Sequence, residues 1–278
     1  MLKEICKKIS ILLLLTSFCS QAKDGRYVLI YNPDHIKNSS FSNIVSSFES
    51  NVQGALVIET KSIDQSILNL ISSVNPEKIL VSSRSLIDEL KSINNKTQLF
   101  ATGFYFNSDK YNGVSLKFEG KFLIEKLFKS IRGIKKIYVV EQNDFNVINK
   151  SNYLNDRVEW KSGSDMVETI RIIYNIIDSA NQNDAIIIPA NLPSNMLYEI
   201  TKAAWKNRIV LISTSINQLE SGVLIAIYPN VNSLSEQITK FIQQDKIKYE
   251  SVENFDIALN KRVSQHLDIQ VDATLVLE

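Results

Sequence analysis

The sequence predicts an α/β fold of two Rossmann-like lobes, and three observations predict it. Short apolar runs alternate with helical periods from residue 26 onward, and the alternation begins afresh after residues 112–116. The chain also has only 8 Gly and 5 Pro, too few for long structureless joints. Strands alternating with helices of about ten to fifteen residues indicate βαβ units and mostly parallel sheets.

The elements follow in order. "RYVLIYN" (26–32) reads as a strand, and Phe41, Ile44, Val45 and Phe48 then recur at helical spacing. "GALVIE" (54–59) is a second strand, followed by a helix marked by Ile63, Ile67, Leu70 and Ile71. "KILVS" (78–82) is a third, entering a helix at "SRSLIDELKSI", and "QLFATGFYF" (98–106) is a fourth. The second series runs from a helix over 119–132 through "KKIYVVE" (135–141), "RVEW", a long helix around 164–181 and "DAIIIPA". A helix over 194–207 and "RIVLIS" (208–213) come next, then a helix after Pro229, and "FDIALNKRVSQHLDI" closes the series.

The N-terminal stretch "MLKEICKKISILLLLTSFCSQAKDG" has a secretory layout: Lys3, Lys7 and Lys8, then an apolar run from Ile9 to Phe18, then Ser20-Gln21-Ala22. A run of about ten residues is half of what a membrane-spanning helix needs, roughly 20. We therefore expect a signal peptide over 1–22 with cleavage after Ala22, lipidation at Cys19 being the alternative. Cys6 and Cys19 both lie in this segment, so a chain starting at Lys23 has no disulfide and no thiolate metal site. Taking three lysines and one glutamate from 31 basic and 30 acidic residues leaves a net charge of about −1. Charges of both signs are interspersed, and no basic stripe invites nucleic acid.

Catalytic signatures are missing. The sequence has no G-x-S-x-G, no H-E-x-x-H and no G-x-x-x-x-G-K-[ST]. The turn after the first strand reads "PDHIKNSS", without the glycines that let a backbone approach a pyrophosphate. His35 and His266 are the two histidines, far apart in sequence and read as surface or packing residues rather than metal ligands. The expectation is no enzyme, no cofactor and no metal.

The strand ends carry a different chemistry. In open α/β sheets, ligands bind beyond the carboxyl ends of the strands. Those ends present Asn32, then Ser82, Ser83, Arg84 and Ser85, then Phe104 and Tyr105, then Glu141, Asn191 and Thr214. Ser83 or Ser85 would cap the following helix, with Asp88 in capping-box spacing from Ser85. The helix start and Arg84 would together suit a carboxylate. Phe104 and Tyr105 would stack on an apolar ligand group or pack between lobes. Glu141 would face an amine, and Asn191 would either bond the ligand or turn its own loop.

Several segments in this order resemble the substrate-binding proteins of ABC transporters with the periplasmic-binding-protein type I fold, in particular the tryptophan/tyrosine-type group. They are "NGVSL", "IKKIYVVEQND", "DAIIIPANLPSN", "RIVLISTSINQLESGVLIAIYPNVNSLSEQITKFIQQ" and "ALNKRVSQHLDI". The chain departs from the group at "DKYN" before Gly113 and at Asp268, where the group has its final Gly. The resemblance implies two lobes joined by a hinge, a Venus flytrap, with residues 23–116 plus 230–252 in one and 117–229 plus 253–278 in the other. It implies a monomer of the Gram-negative periplasm that closes on a small polar ligand, an amino acid or a derivative, and delivers it to a membrane permease. A sensory module of the same fold, acting on a membrane sensor protein, is the alternative.

Overall fold

The computed structural model describes residues 26–35, 40–93, 97–143, 146–150, 155–244 and 248–272. Cys19, Ala22 and the rest of the expected signal peptide lie outside the described residues, as does the His35 side chain. The chain forms two compact units: one runs to Thr102 and adds Ile238–Lys246, and the other comprises Gly103–Gln237 and the residues from Ile247 onward.

The first unit is built on four parallel strands, β1 (Tyr27–Tyr31), β2 (Ala55–Glu59), β3 (Lys78–Val81) and β4 (Gln98–Thr102). Their spatial order is β2-β1-β3-β4, with Tyr27 opposite both Ala55 and Lys78, and Lys78 opposite Gln98. β1 is buried along its whole length, as expected for a parallel strand covered on both faces. Helices α1 (Ser40–Asn51), α2 (Gln65–Val74) and α3 (Arg84–Ile93) connect the strands. From α1, Phe41, Ile44, Val45 and Phe48 are buried, and from α3, Leu86, Ile87 and Leu90. α2 opens with Asp64 accepting from the Ile67 N–H at 3.0 Å and closes on Asn75 at φ 49°. Lys78 is buried because its Nζ donates to the carbonyls of Ile242 (2.9 Å) and Gln244 (2.5 Å), where a later helix ends.

The second unit begins at Gly103, whose φ of 76° ends the preceding strand. The expected strand over 98–106 therefore stops at Thr102, and Phe104–Phe106 are irregular. The unit contains β5 (Gly113–Glu119), α4 (Gly120–Ser130), β6 (Ile137–Gln142), β7 (Ile148–Asn149), β8 (Val158–Gly163), α5 (Met166–Ser179) and β9 (Ala185–Ile188). α6 (Ser194–Lys206), β10 (Val210–Ser213) and β11 (Ile225–Pro229) follow. α7 (Val231–Gln243) starts in this unit and ends in the first, and β12 (Tyr249–Val252), β13 (Phe255–Leu259) and α8 (Lys261–Leu267) return to the second.

Its six-stranded sheet has the order β13-β11-β10-β9-β6-β8, parallel except for the β11–β13 pair. The core around β9, α5 and α6 is made of Ile186, Ile188, Ile173, Ile177, Leu197 and Ile200. β5 pairs separately with β7 and β12. Short β12 would leave a row of peptide groups unpaired, but the Gln237 carboxamide takes the place of a neighbouring strand. It donates to the Ser251 carbonyl (2.9 Å) and to Glu250 Oε2 (3.2 Å), and accepts from the Glu253 N–H (3.3 Å). Asp268 sits at φ 55° after α8, a left-handed helix stop.

Candidate functional site

At the carboxyl ends of the first unit, side chains are largely committed locally. Asn32 Oδ1 accepts from the Asp34 N–H at 2.9 Å, closing an Asx turn. Ser82 follows β3 and is fully buried, and its N–H donates to the Ile30 carbonyl at 2.9 Å. α3 begins at Arg84, so Ser83 stands in the cap position and Ser85 falls inside the first turn. The Ser85–Asp88 capping box is thus displaced by one turn position: a residue already in helical geometry cannot cap. Ser83 Oγ and Ser85 Oγ lie 2.9 Å apart, and the Arg84 side chain is exposed.

The second unit presents a more buried set. Phe104 packs 5.2 Å from Phe106 and 5.8 Å from Tyr111, and Phe106 meets Tyr249 edge-on at 5.7 Å. Tyr105 is half-buried, and burial pushes its phenol up to about 12. Glu141, near the end of β6, accepts from the Ile148 N–H at 3.3 Å. Burial pushes its carboxyl up to about 7, against the opposing pull of the Ile148 N–H and of Lys117 and Lys150.

Asn191 is exposed beyond β9 and donates to Gln142 Oε1 at 3.2 Å, linking the β9 and β6 ends. Thr214, just past β10, is 4% exposed, and its hydroxyl has no hydrogen-bond partner among the described residues. Beside it, Ser213 Oγ donates to Gln218 Oε1 at 2.5 Å, and Gln218 Nε2 donates to the Ala190 carbonyl at 3.1 Å.

The carboxyl ends of β6, β9 and β10 therefore gather Glu141, Gln142, Asn191, Ser213, Thr214 and Gln218 at one edge of the second sheet. Sequence reasoning missed Gln218 and, above all, Lys117. The available signal was a lysine inside the strand "GVSLKFE", on the face it shares with the buried Gly113 and Ser115. His266 packs against Trp205, ring centroids 5.3 Å apart, as expected of a packing residue. Among the described residues no group of three or more His, Cys, Asp and Glu could hold a metal ion, and no helix is long and apolar enough to cross a membrane. What remains is a set of amides, hydroxyls and buried charges suited to holding a polar solute.

Two α/β units with mostly parallel sheets, and polar groups at the strand ends, define the periplasmic-binding-protein type I fold. A ligand-free, open substrate-binding protein with adhesive properties from Clostridium difficile matches 90% of this chain and 98% of its own, at 14% identity and a TM-score of 0.60. An ABC domain in complex with L-Trp from Streptococcus pneumonia matches 90% and 97%, at 12% identity and 0.54. A conserved domain protein from Vibrio cholerae gives 90% and 97%, at 10% identity and 0.53. No protein-family model and no curated protein matches the chain.

Proposed function

We propose that this protein is the exported solute-binding component of an ABC-type uptake system, taking a small polar ligand such as an amino acid or a derivative to a membrane permease. The observation that supports this most directly is the Thr214 hydroxyl, which is buried at the end of β10 without a hydrogen-bond partner among the described residues. A buried, unsatisfied hydroxyl costs about 1–3 kcal/mol, and a ligand group that satisfies it gives a reason for it. Beside it are the Ser213 hydroxyl and the Gln218 carboxamide, groups that bind without supplying a nucleophile and base pair. Similarity of fold to a substrate-binding protein and to an L-Trp complex points the same way. Asn32, Ser82–Ser85, Phe104, Tyr105, Glu141, Asn191 and Thr214 are the proposed ligand residues, and the periplasm is the proposed compartment.

Thermal unfolding against amino acids, peptides, sugars and polyamines tests the reading. A ligand at a hundred times its Kd adds about 2.7 kcal/mol, which is several degrees at roughly 2–4 °C per kcal/mol. A shift confined to one compound class, and lost in Thr214→Val, is the expected outcome. No shift from any class would overturn uptake in favour of a sensory module that works by contacting a membrane protein.

A further inference from the structure

Strand β5 places a lysine where its neighbours are apolar. Lys117 lies between Leu116 and Phe118 and is 4% exposed. Its Nζ donates to Asn107 Oδ1, in the loop after β4, and to Asn146 Oδ1, in the segment that leads into β7. Both acceptors are neutral carboxamides: they take two of the three N–H groups and bring no negative charge. Burial holds the Lys117 ammonium below its usual range, with Glu141 and Asp109 pulling it back up and Lys110 adding to the depression. Glu141 is the first-ranked of these counter-charges, and it also feels Lys150. It is spoken for by the Ile148 N–H, on the same segment that Asn146 begins.

Asn107 and Asn146 bond this buried cation directly, and Glu141 and Asp109 act on it by charge. A leucine or methionine would fill the strand position without desolvating an ammonium, and replacing buried charge by apolar bulk is commonly neutral or stabilising. Packing alone does not call for a lysine here. A buried ammonium flanked by two neutral carboxamides is a site that favours an added anion.

We propose that Lys117, flanked by Asn107 and Asn146, is an anion-recognition point of the solute site, binding the carboxylate or other anionic group of the ligand, and that Glu141 is the resident counter-charge the ligand displaces. The inference rests on the solute-binding reading and adds to it the charge of the ligand. A bound anion and an ionised Glu141 would repel one another, so binding takes up one proton at Glu141. Glu141 ionises near 7. If only its protonated form is competent, the affinity for an anionic ligand falls about ten-fold from about pH 6 to about pH 8. Lys117, Lys150, Asp109 and Lys110 are the other charged groups at this point.

Calorimetry on the purified protein in two buffers of different ionisation enthalpy, at pH 6 and pH 8, reads both affinity and proton uptake. The probes are L-tryptophan, L-tyrosine and L-leucine, the corresponding amines tryptamine and tyramine, and succinate and inorganic phosphate. Probes carrying an anionic group bind, with one proton taken up at pH 8, and the amines do not. Lys117→Met loses about a hundred-fold in affinity, the scale of removing one partner of a buried charge pair, and Glu141→Gln flattens the pH profile of binding. Binding by Lys117→Met within about two-fold of the parent would overturn the anion site while leaving solute binding intact, as would amines binding as tightly as acids. If Lys117→Met does not fold, a pH profile in Glu141→Gln as steep as the parent's overturns it instead. No binding by any probe removes the solute-binding reading and this inference with it.

Discussion

The two units use the side chains at their strand ends in opposite ways. In the first, Asn32 closes its own turn, Ser83 and Ser85 face one another across one residue, and Arg84 is exposed. The Asn32 and serine contacts are local in sequence. In the second, Lys117 reaches Asn107 and Asn146, Glu141 reaches Ile148, Asn191 reaches Gln142, and Thr214 is buried with its hydroxyl unsatisfied. Sequence-distant contacts between buried polar groups cost desolvation, and such a cost is expected where recognition requires it. The proposed anion recognition lies in the second unit.

The largest expected effect breaks the second unit's frame. Phe118 is fully buried next to Lys117 and meets Phe255 edge-on at 5.8 Å. Phe118→Ala should cost about 3–5 kcal/mol, read as a fall in the urea midpoint, and it should also loosen the Lys117 cluster. A loss below about 1 kcal/mol would mean that β5 is not anchored by this ring. Next comes Gln237→Leu, which leaves the Ser251 carbonyl and the Glu253 N–H without their side-chain partner. That should cost about 1–3 kcal/mol, and an unchanged melting temperature would show the β12 edge satisfied in another way.

Glu141→Gln sharpens the comparison through pH. The folded carboxyl titrates near 7, above its ordinary 4.5, so the fold favours its neutral form. Its contribution is fully present below about 4.5 and is lost as pH rises through about 7. The glutamine variant should therefore gain stability over the parent on the alkaline side of 7 and show no such gain at acid pH. Parallel stability curves across that window would show Glu141 better solvated than its position indicates. The smallest effect belongs to the first unit. Arg84→Ala should change stability by no more than about 0.5 kcal/mol, because the side chain is exposed. If the same variant also leaves ligand affinity unchanged, the recognition role of the 82–85 segment falls.

Legibility in the sequence tracked how local the cause was. The β1, β2, β3, β9 and β10 runs are continuous apolar segments, and helices α1, α3 and α5–α7 have one apolar face, so composition alone located them. β5 was read as a junction because "NGVSL" opens with Asn-Gly and its inward lysine breaks the apolar pattern. β11 and β12 were absorbed into their neighbourhood: "IAIYP" adjoins a run of small residues, and "YESV" is half polar because Gln237 guards its edge. The strand at 98–106 was read too long because nothing in "TGFYF" announces that Gly103 adopts a positive φ. Of the candidate site, the residue types at each strand end were legible, but which of them are buried was not.

The sequence by itself determined the α/β class, the order of most strands and helices, and the absence of catalytic motifs, because hydrophobic period, capping residues and motif spacing all act over a few neighbouring residues. Only the tertiary structure decided that Lys117, Glu141 and Asn146 share one buried cluster while Arg84 is exposed. Burial and charge proximity depend on strand pairing across tens of residues. A lysine's setting is therefore fixed by what β7 and the β4 loop bring beside it, and not by the letters on either side.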